Sequence, residues 1–350
     1  MSRQLPSITV VDIRSSKSSP LETLDADTLE GLRGSRNAKT LPSLLLWDEA
    51  GQELYDKVAA CPEYYPYRVE RELLNQRLDE ISATLAGAVP DVLIELGSGS
   101  MAKTAPLLAA LDARLTAPVV YYALDVDLSE LEASLSALCD TVPLRNITVR
   151  GLLGTYEDGA DWLNGDEMAG SRRAVLWLGN SMANFDMGVA GAVLASFARA
   201  GNAGSFGGLL LGVDGCREAE RICVAYNLPG GQTERWMKHA LRAAAEVFAA
   251  QDDAAEAAKF FDADNWTFQG HWVPERKRFE NYLIPTRNLH GHIQGKTIAL
   301  DKGERVGIVT SGKWTRGDIG DICSKQGLDV QTWWNSDEID YGAFPSNTAL

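Results

Sequence analysis

Between about residues 88 and 213, short apolar runs alternate with stretches whose apolar positions recur every three or four residues. The runs are VLIEL (92–96), VVYYALD (119–125), ITVR (147–150), AVLWLG (174–179) and GLLLGV (208–213). Their length and their lack of polar alternation predict buried strands, and the periodic stretches between them predict crossover helices. In DLSELEASLSAL, for example, Leu128, Leu131, Leu135 and Leu138 follow one another at helical spacing behind Asp127, a helix-capping residue. Alternation of this kind is the pattern of a parallel sheet in an α/β fold.

The flanks carry a different pattern. Residues 26–83 contain helix-like segments broken by the turn-rich CPEYYPYR (61–68), and residues 214–260 read as mostly helical. Residues 265–350 mix strand-like pieces such as FENYLIP and RVGIVTS with loops that hold Trp266, Trp272, Trp314, Trp333 and Trp334, read as core. The expected organisation is a nucleotide-binding core over 70–213 and a second, substrate-binding lobe built from both chain ends, 1–69 and 214–350.

The first strand runs into LIELGSGSMAKT (93–104). Glycines at 97 and 99 let bare backbone approach a ligand, because they lack a Cβ and tolerate positive φ. Asp125, at the end of the next strand, stands where an acid grips ribose hydroxyls. Two cofactors fit this pattern. Gly97-x-Gly99-x-x-Ala102 satisfies the dinucleotide fingerprint. ELGSGS, with an acid two residues before the first glycine, resembles the first motif of class I S-adenosylmethionine methyltransferases.

Charge narrows the partners. Against 33 Lys plus Arg stand 48 Asp plus Glu, a formal charge of -15 that repels phosphate backbones and anionic lipid. A small-molecule substrate is expected, with neither nucleic acid nor membrane as partner, and a monomer. The opening MSRQLPSITVVDIRSSKSS lacks the apolar core of a signal peptide, the terminal TAL is no peroxisomal address, and no apolar stretch is long enough to span a bilayer, so the expected place is the cytoplasm. Five cysteines with no CxxC pair fit reduced thiols. No metal is expected; His290-x-His292 alone is a weak ligand set. Gly179-Asn180-Ser181-Met182-Ala183 departs from the nucleophile elbow at its last position, and none of the four histidines is marked as its base.

Three further stretches are LPSLLLWDEAGQELYDKVAACPEYYPYR (41–68), LLGTYEDGADWL (152–163) and LWLGNSMANF (176–185). With ELGSGSMAKT and YYALDVDLSEL they resemble, from about residue 38 to 290, the histidine-specific methyltransferase family of ergothioneine biosynthesis. The likeness is to its fungal form, which includes dimethylallyltryptophan and tryptophan N-methyltransferases. The resemblance implies a class I, Rossmann-like methyltransferase core with a substrate lobe, using S-adenosylmethionine to methylate the α-amino nitrogen of an aromatic amino acid.

It also implies site residues. Gly97, Ser98 and Gly99 would cradle the methionine part of the cofactor, with Lys103 beside it and Asp125 on the ribose. Thr155 and Tyr156 stand where bacterial members place an Asp-Phe pair on the adenine. Asn184 matches the asparagine that fixes the amino group, Tyr226 a tyrosine on the carboxylate, Tyr64 the ring-pocket tyrosine and Glu280 the glutamate on the ring nitrogen. Asn184 and Tyr64 are the catalytic candidates. Two positions depart from the histidine pattern: Trp47 replaces a tyrosine on the carboxylate, and Tyr282 replaces a serine on the imidazole. Fungal ergothioneine enzymes carry a further sulfoxide-synthase domain, for which a chain ending at 350 leaves no room. The expected substrate is therefore tryptophan or a related indole amino acid, with histidine the alternative; a nicotinamide-dependent oxidoreductase and a non-catalytic binding protein are the readings from other classes.

Overall fold

The computed structural model describes residues 8–15, 23–88, 90–200 and 205–348, with the side chains of 343–348 left aside. Much of the signal-peptide and peroxisomal-address readings falls on residues 1–7, 16–22 and 349–350, outside those described. Two compact units form. One comprises Val69–Cys216 with the described residues of Met1–Lys17 and Lys313–Leu350; the other comprises Arg217–Gly312 with the described residues of Ser18–Arg68.

The apolar runs of the first unit become the strands Val92–Leu96, Val119–Asp125, Ile147–Leu153, Arg173–Trp177 and Phe206–Asp214, in a nine-stranded sheet. Val92–Leu96, Arg173–Trp177 and Phe206–Asp214 are buried along their whole length, which explains why these runs show no polar alternation. Across the sheet the parallel order is Thr9–Asp12, Ile147–Leu153, Val119–Asp125, Val92–Leu96, Arg173–Trp177, Phe206–Asp214. Succession thus runs one way from Val92–Leu96 to Ile147–Leu153 and reverses at Arg173–Trp177. That reversal is a topological switch point, where the loops leaving two adjacent strands diverge and open a crevice at their carboxyl ends. The glycine turn leaves the strand at this point.

Helix Leu128–Thr141 starts where the pattern places it, with Asp127 accepting from the Glu130 amide at 2.9 Å. Leu131, Leu135 and Leu138 are buried, whereas Leu128, at the first position, is 45% exposed. The C-terminal residues differ from expectation. Tyr341–Thr348 pairs antiparallel with Phe206–Asp214 and joins the first unit, as does helix Arg316–Lys325, whose Ile319, Ile322 and Cys323 enter the core beneath the sheet. Backbone pairing with an otherwise open sheet edge outweighs the position of these residues in the chain. At the other edge Thr9–Asp12 pairs with Ile147–Leu153. Residues 214–216 likewise fall in the first unit.

In the second unit, Trp266–Val273, Arg278–Pro285, Val306–Gly312 and the short Lys39–Thr40 form a four-stranded sheet. Helices Ala219–Tyr226 and Gln232–Val247 pack on it, and Glu49–Ala59 packs on Gln232–Val247. CPEYYPYR is only half turn: helix Tyr65–Gln76 begins inside it, with Pro66 in the first turn, where its missing N–H costs nothing. Among the described residues no helix is long and apolar enough to cross a membrane, and all five cysteines are free.

Candidate active site

Gly97 and Gly99 both take positive φ, 68° and 49°. The Gly97 amide donates to Leu124 O at 3.0 Å and pins the turn to the neighbouring strand. A Cβ at Gly97 would stand 3.1 Å from the Tyr156 hydroxyl, whereas one at Gly99 would meet nothing within 4 Å, so Gly99 borders open space. Between them Ser98 is buried, and its Oγ has no hydrogen-bond partner. A buried hydroxyl in that state costs free energy until a ligand or water satisfies it.

Asp125 ends the next strand. Its Oδ1 accepts from Val126 N at 2.8 Å and its Oδ2 from Gly99 N at 3.4 Å. Burial raises its pKa above the usual carboxylate value, against the pull of those amides. The long second bond is one that a better donor, such as a ribose hydroxyl, replaces without loss. Tyr156 packs edge-on against Trp177 at 5.4 Å and Phe185 at 6.1 Å, and burial followed by the charge of Asp125 raises its pKa. Thr155 does something else. Its Oγ1 bonds with the Asp158 amide and carboxylate in a capping box that starts helix Tyr156–Leu163, so its side chain is committed to the helix.

The loop after Arg173–Trp177 is shaped by two left-handed residues, Gly179 (φ 79°) and Asn180 (φ 57°). Asn180 Oδ1 accepts from Asp214 N at 2.9 Å, and the Asn180 carbonyl accepts from Ala183 N at 3.1 Å. These bonds wind Ser181–Asn184 into a 3-10 turn that ends at the half-buried Asn184. Ser181 donates to Leu178 O at 2.9 Å.

Glu95, the acid two residues before the first glycine, lies inside strand Val92–Leu96. Its carboxylate receives the Thr104 hydroxyl at 2.7 Å and the Tyr121 hydroxyl, tying the strand to the helix that follows the turn. Burial pushes its pKa up to about 7 although both hydroxyls pull it down. Between an unfolded value of 4.5 and about 7 the folded chain therefore keeps a proton that the unfolded chain has released, and stability falls as pH rises through that window. Replacement by Gln removes this pH dependence. In chemical denaturation, Glu95→Gln gains relative to the parent by up to roughly 3 kcal/mol between about pH 4.5 and about pH 8; an unchanged difference would contradict the assignment.

In the second unit, Asp48 caps helix Glu49–Ala59 through the Gly51 amide at 2.7 Å and meets His239 Nε2 at 2.6 Å. Gly51 is required there, since a Cβ would lie 2.1 Å from Leu46 O. This anchoring sets Trp47 among rings: Trp236 at 5.3 Å, Tyr55 at 5.3 Å, then Tyr64 at 6.3 Å from Tyr55 and Tyr226 at 5.6 Å from Tyr64. Tyr226 stacks on Phe279 at 4.9 Å and shares a 2.8 Å hydrogen bond with Ser311. Burial, reinforced by Tyr55 and Tyr226, holds the pKa of Tyr64 well above 10, so its phenol stays protonated and cannot act as a base.

Glu280 and Tyr282 form a separate group. Two residues apart on a regular strand, they share one face, while Phe279 and the ring of Tyr226 stacked on it belong to the other. Glu280 Oε1 accepts from Arg278 at 2.7 Å and Arg276 at 3.2 Å, and Oε2 accepts from the Tyr282 hydroxyl. Burial opposes its ionisation, but the Tyr282 and Arg278 hydrogen bonds and the charge of Arg278 outweigh it and hold the pKa below the usual value. Arg305 lies over the Tyr282 ring at 5.2 Å. Glu280 and Tyr282, to which the resemblance gives contacts with the substrate ring, thus sit together, and the glutamate is already engaged by the chain.

The switch-point glycine turn and the acid at the next strand end, on this strand order, form an open α/β site for a cofactor that carries a ribose. Residues 24–346 match the model of the histidine-specific, SAM-dependent methyltransferase family, and the chain belongs to that family. The turn therefore serves S-adenosylmethionine rather than a nicotinamide dinucleotide, and the unpartnered Ser98 hydroxyl, the open side of Gly99 and the Asp125 carboxylate fit that cofactor.

Among its relatives, N-methyltransferase fsqC of Aspergillus fumigatus is 36% identical over 316 residues, 90% of this chain and 81% of the relative. N-methyltransferase imqF of Aspergillus flavus is 33% identical over 335 residues, 95% and 86%. L-tryptophan methyltransferase trpM of Psilocybe serbica is 30% identical over 358 residues, 96% and 97%.

Proposed function

We propose that the chain methylates the α-amino nitrogen of an aromatic L-amino acid, with tryptophan or a related indole amino acid preferred over histidine. The observation that carries the preference is the closure of Tyr282 on Glu280. A glutamate and a serine that clasp the two nitrogens of an imidazole must both be open to the ligand. Here the hydroxyl at the second position is spent on the first, and three donors fill most of the roughly four acceptor positions of the carboxylate. The five-ring cluster Trp236–Trp47–Tyr55–Tyr64–Tyr226 offers a large apolar surface for a wide ring. The likeness to a relative named for L-tryptophan supports the same choice.

When bound, S-adenosylmethionine supplies a sulfonium methyl open to in-line attack. What the residues of this chain contribute is binding and alignment, and effective positioning supplies about 7–11 kcal/mol of barrier reduction. Gly97, Ser98 and Gly99 receive the methionine part, Asp125 the ribose, and Tyr156 the adenine face. Asn184 accepts a hydrogen bond from the α-amine, which must lose its proton before it attacks, because an α-amino group is largely protonated at neutral pH. That proton leaves to water or a nearby acceptor other than Tyr64, which is held protonated. Tyr226 donates to the carboxylate while accepting from Ser311.

The test is a comparison of kcat/KM for tryptophan, dimethylallyltryptophan and histidine in the parent and in Tyr282→Ser. The parent prefers an indole substrate; the variant frees Glu280 and moves the tryptophan-to-histidine ratio toward histidine by at least about tenfold. A parent that prefers histidine, or a ratio that the substitution leaves alone, would sink the preference.

A further inference from the structure

Glu70, on helix Tyr65–Gln76, is 0% exposed. One of its oxygens forms an ion pair with Lys103, six residues beyond the first glycine of the turn; the other accepts from the Gly179 amide at 2.7 Å. The surroundings are built around it. A Cβ at Gly212 would lie 1.9 Å from Glu70 Oε1, and one at Gly179 would stand 3.2 Å from Lys103 Nζ. Three loops or strands that border the switch point therefore converge on a single carboxylate: the glycine turn through Lys103, the loop of Asn184 through Gly179, and the strand Phe206–Asp214 through Gly212.

We propose that Glu70 is a positioning residue that sets Lys103 for the methyl donor and, by the same carboxylate, fixes the Gly179–Asn184 loop. Breaking a buried ion pair by neutralising one partner leaves the other charge uncompensated, which is far more costly than losing a surface pair. Lys103 is 16% exposed, so its ammonium is not well served by water once Glu70 is neutral. With the carboxylate charge gone, the ammonium shifts toward its remaining partners, and the donor site loses its arrangement. Glu70→Gln is the informative change, because the amide oxygen still accepts from Gly179 and only the Lys103 arm is cut. The inference rests on the donor-site reading of the glycine turn and Lys103.

The experiment is a double-mutant cycle with S-adenosylhomocysteine binding by calorimetry and melting temperature measured on the same samples of parent, Glu70→Gln, Lys103→Met and the double variant. Glu70→Gln is expected to weaken binding by about tenfold or more, and adding it to Lys103→Met to weaken binding no further. A purely structural carboxylate would lower the melting temperature and leave the affinity of the folded protein at the parental value; that outcome, or losses that multiply in the double variant, overturns the proposal. If the variants fold too poorly for calorimetry, Glu70→Asp, which keeps the charge with a shorter arm, is read the same way and should bind between the parent and Lys103→Met; parental affinity there overturns it. A parent that binds no S-adenosylhomocysteine would instead remove the donor site itself, so the two failures are distinct.

Discussion

Asn184→Ala lowers kcat by about a hundredfold while the dissociation constant of S-adenosylhomocysteine stays within about twofold of the parent. The reason is local. Asn184 closes the 3-10 turn Ser181–Asn184, whose path is fixed by Gly179 and Asn180 and by the Asn180 bonds to Asp214 and Ala183, none of which uses the Asn184 side chain. Removing its amide takes away the group proposed to orient the attacking nitrogen while those loop-shaping bonds remain. Misplacement of a nucleophile by about an ångström is enough for a loss of that size. Single-turnover kinetics with saturating donor separates this from a binding defect. Turnover equal to the parent would remove Asn184 from the mechanism.

Asp125→Ala has the opposite signature. Affinity for S-adenosylmethionine falls by up to about a hundredfold, the value of one or two hydrogen bonds to a charged group, while kcat at saturating donor changes little. The carboxylate also holds the Gly99 amide, though at 3.4 Å, so part of the loss comes from a looser turn. Asp125→Asn distinguishes the contributions: it keeps an acceptor near Gly99 and loses the charge, and its affinity should lie between those of the parent and the alanine variant. Calorimetry with S-adenosylhomocysteine gives the numbers directly. Parental affinity in Asp125→Ala would mean that the donor sits elsewhere.

The core was legible in the sequence because its strands are buried on both sides, so that VLIEL or GLLLGV needs no partner to be read as a strand, and because positive φ at 97 and 99 favours glycine. The edges were not. Tyr341–Thr348 lies about 130 residues from the strand it pairs with, and no local pattern encodes a pairing so distant in the chain. The polar network behind the site was hidden for another reason. Glu70 in RVERELL looks like a solvated helix acid; only its place beside Val69, Leu73 and Leu74, all buried, marks it as facing inward. Glu280 shows the converse. The resemblance points to it as an acceptor for a ligand, yet Arg276, Arg278 and Tyr282 reach it first, two of them from positions two residues away on its own strand. Thr155 likewise reads as a ligand contact by position, but three residues on stands Asp158, and together they are the sequence signature of a cap.

Incubation of the protein with methyl-labelled S-adenosylmethionine and tryptophan, followed by fragmentation of the product in a mass spectrometer, locates the transferred carbon. The account requires label on the α-nitrogen. Label on the indole ring or the carboxylate, or S-adenosylmethionine left unconsumed with every aromatic amino acid offered, would contradict it.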